Sequence, residues 1–566
     1  MTNFKTVFYT LGILQMILGL SMLLPVSVQL IYGEFDSSFV GPSLITIVFG
    51  SLFFLANQDH QKKINLQQAF LLTALSWLSI SIFGCLPFMF SNLNLGITDS
   101  FFESMSGITT TGSTIIKSLD TTPKAILFWR AILQWLGGIG IIVMAITLMP
   151  IMNVGGMQLF KVSSNDGAEK ILPKSKEIAL RLILIYLSLT IFCAFFYYIF
   201  GMQFFDSITH SMTTIATGGF SNYNESIGYF NNYKIEITSM FFIILGSIPF
   251  LAYIKFLNGE KKIFYKDPQI ITFMKLVIYS IIILFVYALF NNITNLANLR
   301  AVSFNVISIL TGTGYVTQNF DNWGNFPLIF FLILMFIGGC AGSTTCGIKV
   351  FRIQILYRFI IKQLKNIIYP RGIFILKYDE KPVDQKFMSS IISFMFLYIL
   401  IFFIITGLLS MTGLDFTTSL SGAATSISNV GPGLGDMIGP NGNGTLDGVE
   451  LQTNSGTFSQ NPWFAAYNFI NDSEKERLIG SANIRWDLAD WLYVRGQVGT
   501  DRYDYHRTIS TPFGTRYQPL GSIGEYKLTF KQYDADLFLG TDNLSLADDV
   551  TLTAFAGISS YKNKNE

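Results

Sequence analysis

The chain has 566 residues, 51% of them apolar and only 13% charged, with 53 phenylalanines and a mean hydropathy of +0.46. A soluble domain carries about a quarter charged residues, so too few charges are present to cover a water-facing surface of this size, and the bulk of the chain belongs in lipid. The 38 basic residues against 36 acidic ones exclude a polyanion-binding protein and give no reason to expect nucleic acid as a partner. Four cysteines (Cys85, Cys193, Cys340, Cys346) lie in or beside apolar runs and three histidines (His60, His210, His506) are scattered, which indicates neither a disulfide framework nor a zinc site. No phosphate-binding loop stands in a strand–turn–helix context and no catalytic triad is evident, so an enzyme reading has nothing to rest on.

Lys5 precedes an apolar stretch, Val7 to Ile31, which is too long for a signal sequence and reads as a retained span. Further runs long enough to cross a bilayer follow at 39–56, 68–91, 125–150, 178–201, 236–257, 270–291, 326–350 and 387–411, nine spans in all. Basic residues gather at Lys62 and Lys63, at Lys161, Lys170, Lys174 and Lys176, at Lys255, Lys261, Lys262 and Lys266, and between Arg352 and Arg371. The positive-inside rule makes these loops and the N-terminus cytoplasmic.

Four short apolar segments lie between spans and end in Gly/Thr clusters: FFESMSGITTTGST at Gly112, SITHSMTTIATGGFS at Gly218, NVISILTGTGYVT at Gly314 and SGAATSISNVGPGLG at Gly431. All four reach the membrane from the outer side. Each follows one plan of span, short amphipathic helix and glycine turn, and a repeat of that kind outweighs any single motif. The physical reading is a cation pore. A dehydrated potassium ion needs oxygens in place of water, which rings of backbone carbonyls supply. Short helices aiming their partly negative C-terminal ends inward favour a cation, and non-helical backbone at membrane depth is tolerated where it lines a cavity. The alternative is that each glycine only lets helices pack closely. Glu103, Asp206 and Asp415 sit in or start the short helices; attraction of cations at the outer side is one reading, but pairing with the helix N-terminal dipole suffices. His210 reads as a packed or hydrogen-bonding residue.

Residues 1–440 resemble the TrkH type of the Trk/Ktr/HKT potassium-transporter superfamily. The stretches that carry the resemblance, in family order, are FFESMSGITTTGST (101–114), WRAILQWLGGIGIIVMAITLMPIMNVGGMQLFK (129–161), ATGGFSNY (216–223), GTGYVTQNF (312–320), IGGCAGSTTCGIKVFR (337–352) and NVGPGLG (429–435). The resemblance implies an all-α membrane protein of four pseudo-repeats, each span–pore helix–filter–span, with two additional N-terminal spans. Its segments would be 1–66 (two spans), 67–160, 161–265 and 266–370 (repeats one to three) and 371–440 (a truncated fourth repeat). It makes Thr110–Thr111–Gly112, Ala216–Thr217–Gly218, Gly312–Thr313–Gly314 and Asn429–Val430–Gly431 the four filter strands. Glycine at the key position of all four goes with potassium selectivity, since serine in the first repeat accompanies sodium preference.

The resemblance also makes Gly338, Gly339, Gly342, Ser343, Thr344, Thr345 and Gly347 an intramembrane gating loop; a glycine-rich packing face is the alternative. Lys349 is counted with this loop; it and Arg352 read first as marking the cytoplasmic end, with a role in stabilising the loop as the alternative. A homodimer in the bacterial inner membrane and a cytosolic, nucleotide-binding, TrkA-like regulatory ring are further implications, with basic segments 151–177 and 352–386 as docking surfaces. Potassium is the only ion called for.

Composition breaks near Pro440. Residues 441–566 hold 16 acidic and 11 basic residues, so the tail is net negative and the front net positive. No apolar run of spanning length follows Gly431, so the closing span of repeat four is expected to be missing. Segments 481–499 and 525–539 alternate apolar and polar residues at the period of strands. Asn441, Asn443, Thr445, Asp447 and Glu450 imitate a calcium loop, with too few carboxylates and the wrong spacing. Residues 455–506 resemble part of a SusC-like, TonB-dependent outer-membrane transporter, which would make the chain a chimera joined near residue 440. The alternatives to potassium uptake are therefore an outer-membrane nutrient-transporter fragment or a non-functional fusion product.

Overall fold

The computed structural model describes residues 4–147, 171–434, 470–511, 522–547 and 550–565, apart from residues 35, 59–64, 94, 117, 292–298, 380 and 543. Side chains are not described at 143–147, 171–176, 322, 381, 470, 546, 547, 550 and 565. The chain forms two compact units, 1–443 and 444–566.

The first unit is helical. Its elements are α1 (Lys5–Ser21), α2 (Leu23–Tyr32), α3 (Val40–Ala56), α4 (Leu66–Gly84), α5 (Leu86–Met89), α6 (Ile97–Ile108), α7 (Lys124–Thr147), α8 (Ile171–Ile199) and α9 (Phe204–Ile215). There follow α10 (Tyr233–Ser247), α11 (Phe250–Leu257), α12 (Ile263–Lys266), α13 (Pro268–Phe290), α14 (Leu299–Thr311), α15 (Asn325–Phe336), α16 (Val350–Ile368), α17 (Gln385–Met411) and α18 (Phe416–Ser428). A small hairpin, β1 (Lys377–Tyr378) with β2 (Lys381–Pro382), joins α16 to α17. Among the described residues, six helices are long and apolar enough to cross a membrane, or seven if the bent pair α10–α11 counts as one span.

Local chemistry accounts for the boundaries. Asn65 caps α4 in a reciprocal box: its side chain accepts from the Gln68 backbone N–H at 2.8 Å while Gln68 accepts from Asn65 N–H at 3.0 Å. Asp415 accepts from the N–H groups of Thr417 (3.0 Å) and Thr418 (3.1 Å), opening α18. The run 236–257, expected as one span, breaks between Ser247 and Phe250 and bends by 86°. Pro249 causes this, because it forces Ile248 into an extended conformation (ψ 146°) and removes a helical donor. The run 326–350 is likewise not one helix, since α15 stops at Phe336.

Helices α1 and α3 meet along a glycine seam. A β-carbon on Gly12 would lie 2.6 Å from Phe54 N, and one on Gly50 would lie 2.9 Å from Gly12 O, so larger residues would force these backbones apart. Ser43 Oγ donates to Gly19 O across the same contact at 2.8 Å.

The second unit contains an antiparallel sheet in the order β3 (Ile470–Ala489), β4 (Leu492–Thr511), β5 (Ser522–Thr541) and β8 (Phe555–Asn565); β6 (Leu544–Ala547) and β7 (Val550–Leu552) pair separately. Segment 525–539 lies within β5. Segment 481–499, expected as one run, instead holds a hairpin turn at Asp490–Trp491, with Ala489 facing Leu492. The junction near residue 440, the calcium-like sequence 441–450 and the expected lack of a closing span fall on residues 435–469, outside the described residues.

Candidate ion pathway

The four short helices α6, α9, α14 and α18 end in the same way. Five residues past a helical carbonyl, the chain returns an N–H to it: Thr111 N to Ser106 O (2.9 Å), Gly218 N to Thr213 O (2.9 Å), Thr313 N to Ser308 O (2.9 Å) and Val430 N to Thr425 O (3.1 Å). The residue before each donor is left-handed: Thr110 (φ 59°), Thr217 (φ 49°), Gly312 (φ 74°) and Asn429 (φ 61°). This is the Schellman way of closing a helix. It places threonine or asparagine in a conformation that ordinarily selects glycine.

The bonding pattern sets the register. The glycine after each donor is Gly112, Gly219, Gly314 or Gly431, so the second triplet is Thr217–Gly218–Gly219, one residue later than the sequence reading of Ala216–Thr217–Gly218. Ala216 belongs to the helix end, with its N–H on Met212 O at 3.1 Å. The two consecutive glycines of ATGGF left the choice to backbone geometry.

These turns meet. A β-carbon on Gly112 would press on Gly218 O and lie 3.6 Å from Gly431 Cα. One on Gly219 would press on Thr313 O, one on Gly314 would lie 3.0 Å from Gly431 N, and one on Gly431 would lie 3.1 Å from Thr111 O. The contacts therefore run from the first turn to the second, third and fourth and back to the first, closing a ring. Ser113 Oγ donates to Gly431 O at 2.7 Å, and Asn429 Nδ2 donates to Thr109 O at 2.5 Å, tying the fourth turn to the first.

Behind the ring stands a polar network that the sequence reading missed. Glu103, fully buried, pairs with Arg130 Nε at 2.7 Å and accepts from Ile115 N at 2.9 Å. Arg130 Nη1 donates to Ser221 O at 2.8 Å, and its guanidinium lies 4.0 Å above the Phe220 ring. One turn along α7, Gln134 Nε2 donates to Gly218 O at 2.7 Å while its Oε1 accepts from Phe220 N at 3.0 Å. Glu103 is thus a structural tie rather than an outward-facing cation attractor. His210 and Asn305 occupy the corresponding places: His210 Nε2 lies 3.0 Å from Ser221 Oγ and Asn305 Nδ2 donates to Thr317 Oγ1 at 3.2 Å. Asp206 accepts from Asn222 (2.7 Å) and Tyr223 (3.0 Å) rather than only facing a helix dipole. The signal available in the sequence was the polar pair Arg130/Gln134, four residues apart in an otherwise apolar helix.

Residues 337–349 form a non-helical loop with a parallel bridge, Ile337 to Ile348, at its neck. Gly338 and Gly339 lie on the entering arm, where Val350 N reaches Gly339 O at 3.1 Å; Gly342 (φ 77°) and Gly347 (φ 72°) make the turns. The loop is buried at Cys340, Ala341, Ser343, Thr344 and Thr345. It docks in the break of α10–α11: Cys340 N reaches Ser247 O (3.3 Å), Thr344 N reaches Gly246 O (3.3 Å) and Phe250 N reaches Gly342 O (2.9 Å). Its tip touches all four left-handed positions of the ring. Cys346 Sγ lies 3.6 Å from Thr110 Oγ1 and 3.0 Å from Asn429 Nδ2, and its Cβ is 3.4 Å from where a β-carbon on Gly312 would sit. Thr217 Oγ1 donates to Thr344 Oγ1 at 3.1 Å. Lys349 does more than mark the end of a helix: its ammonium turns back to the carbonyl and hydroxyl of Thr345, the latter at 3.2 Å. Arg352 packs over the Phe394 ring at 3.9 Å.

The TrkH family profile, described as a cation transport protein, matches residues 36–441. The chain belongs to the TrkH family. Trk system potassium uptake protein TrkI of Halomonas elongata is 38% identical over 438 residues, 76% of this chain and 88% of the relative. TrkH of Escherichia coli K12 is 34% identical over 440 residues, 76% of this chain and 91% of the relative. The crystal structure of the potassium transporter TrkH from Vibrio parahaemolyticus superposes with a TM-score of 0.72 at 34% identity, covering 78% of this chain and 93% of that one. The helical membrane fold of the family is therefore the fold of the first unit, and the family is one of transporters, not enzymes.

Proposed function

We propose that this TrkH-family chain takes up potassium across the bacterial inner membrane, through a ring of backbone carbonyls gated by loop 337–349. The observation that carries the reading is the closed ring of four Schellman turns, in a chain whose relatives are named potassium uptake proteins. Four helix C-termini end at that ring, each contributing partial negative charge of about half an elementary unit. Carbonyls of Thr110–Gly112, Thr217–Gly219, Gly312–Gly314 and Asn429–Gly431 stand in for water around the ion. The loop tip obstructs the inner end, against the left-handed residues where the helices close. The positive-inside rule supports a cytoplasmic side for the N-terminus and for the basic segments 151–177, 255–266 and 352–386. A homodimer and a TrkA-like nucleotide-binding ring docked on basic segments 151–177 and 352–386 complete the proposal. The test is potassium and sodium flux through the purified chain in liposomes. Gly112→Ser is expected to lower potassium over sodium discrimination, and equal ratios in both proteins would remove the ring from the pathway.

The second unit supports a further proposal, that residues from about 441 onward derive from a SusC-like outer-membrane transporter. The family profile stops at 441, and the following unit forms strands of 20 residues. Sequencing the gene across codons 436–446 tests whether one natural chain spans the junction, and membrane fractionation tests whether the product lies in the inner or the outer membrane.

A further inference from the structure

We propose that Gln134 is a positioning residue for ion selectivity: its amide stiffens the second wall of the ring against collapse around an ion smaller than potassium. This rests on reading the ring as a potassium filter. By the Schellman register, Thr111, Gly218, Thr313 and Val430 are equivalent. Three of them are β-branched, and such side chains restrict the backbone that carries them. Thr313 is further held by its hydroxyl, 2.8 Å from Thr311 Oγ1. The second wall has glycine at this place and no side chain to hold it.

Gln134 occupies the missing volume. A β-carbon on Gly218 would fall among the Cδ, Oε1 and Nε2 atoms of Gln134. The glycine pair of ATGGF then has two separate explanations: Gly219 takes the positive φ (78°) of the turn, and Gly218 makes room for the amide. Gln134 is completely buried, and both ends of its amide are used, on Gly218 O and Phe220 N, so turning it over would lose both bonds. Of the four equivalent carbonyls, Gly218 O alone accepts a side-chain hydrogen bond among the described residues. Arg130, one turn earlier on α7, holds the same strand through Ser221 O and Phe220. A filter that rejects sodium must not shrink to fit it, and the number, strength and placement of its carbonyls decide this.

The experiment is the potassium/sodium permeability ratio of the full chain in liposomes. The ratio is taken in the same vesicles, so it does not depend on how much protein folds. Gln134→Ala and the near-isosteric Gln134→Met are expected to lower the ratio about fivefold, the worth of one hydrogen bond. Gly218→Thr, placed in the Gln134→Ala background, puts a β-branched side chain in the vacated space and is expected to restore the ratio. Wild-type ratios in both single variants, with Gly112→Ser still lowering the ratio, would overturn the role of Gln134 and leave the filter reading standing. A fall that Gly218→Thr does not reverse would also overturn it, because the loss would then come from packing elsewhere. A normal ratio in Gly112→Ser would instead count against the filter itself.

Discussion

Cys346 Sγ lies 3.0 Å from Asn429 Nδ2, and through this contact the tip of loop 337–349 is fastened to the fourth turn of the ring. The two residues are 83 apart in the chain, on different short-helix units. The loop is thus held by the ring itself.

The first prediction concerns that fastening. The single hydroxyl proton of Thr344 is shared between Ile215 O and Gly246 O, each 3.1 Å from Oγ1, and the same oxygen accepts from Thr217. Thr344→Val keeps the shape and removes these bonds, and Cys346→Ala removes the link to Asn429. If the loop is the gate, each variant favours the undocked state, by about fivefold for one net hydrogen bond. Potassium flux in liposomes is expected to rise. Flux at or below the wild-type level in both variants would mean that the loop does not limit permeation.

A second prediction separates two glycines that share a positive φ. Gly219 (φ 78°) and Gly342 (φ 77°) each carry the conformational cost of a left-handed residue, about 1–2 kcal/mol when replaced. Around Gly342 there is open space, whereas a β-carbon on Gly219 would press on the backbone carbonyl of Thr313, which has no side-chain freedom with which to yield. If the ring binds potassium, the ion should raise the thermal stability of the detergent-solubilised protein; Gly219→Ala should then abolish that gain and Gly342→Ala should retain it. Comparable behaviour of the two variants would show that the ring does not need Gly219 at its junction with the third turn.

Much of this arrangement is legible in the sequence, for physical reasons. Apolar runs announce themselves by length, and the segments ending at Gly112, Gly314 and Gly431 share turn chemistry that shows at the level of residue type. The second turn does not: with Gly218 and Gly219 adjacent, only the bond from Gly218 N to Thr213 O fixes the register. Hydropathy also runs unbroken through Ile248–Pro249 and through Ile337–Gly347, so composition alone merges helices that the backbone separates. The Glu103–Arg130 pair joins residues from two helices, and no local pattern reports such a contact. In the second unit, Asp490–Trp491 turns the chain without glycine or asparagine, which hid the hairpin inside an alternating run.

The third prediction tests the seam between α1 and α3. Gly12 and Gly50 come closest to backbone atoms, and the nearest side-chain atom, Gln15 Cβ, is fixed to its own backbone, so added bulk cannot be absorbed by a rotamer change. Gly50→Leu should lower the thermal midpoint of the purified protein and leave the potassium/sodium ratio unchanged, since the seam touches none of the four turns. A changed ratio at full stability would show that the N-terminal helices act on the ring.

The last prediction concerns the ion pair behind the ring. Glu103 and Arg130 are both buried, and each also holds a strand leaving the ring: Glu103 the first through Ile115 N, Arg130 the second through Ser221 O. Arg130→Met leaves a carboxylate buried without its counter-charge, a change that costs about 3–5 kcal/mol. Arg130→Lys keeps the charge but loses the planar fork that reaches Glu103 and Ser221 together, so it should recover only part of the stability. The double variant Arg130→Met/Glu103→Gln removes the uncompensated charge and should be more stable than Arg130→Met alone, a non-additive result that a thermal-unfolding cycle reads directly. Strict additivity would mean that the two groups do not depend on each other.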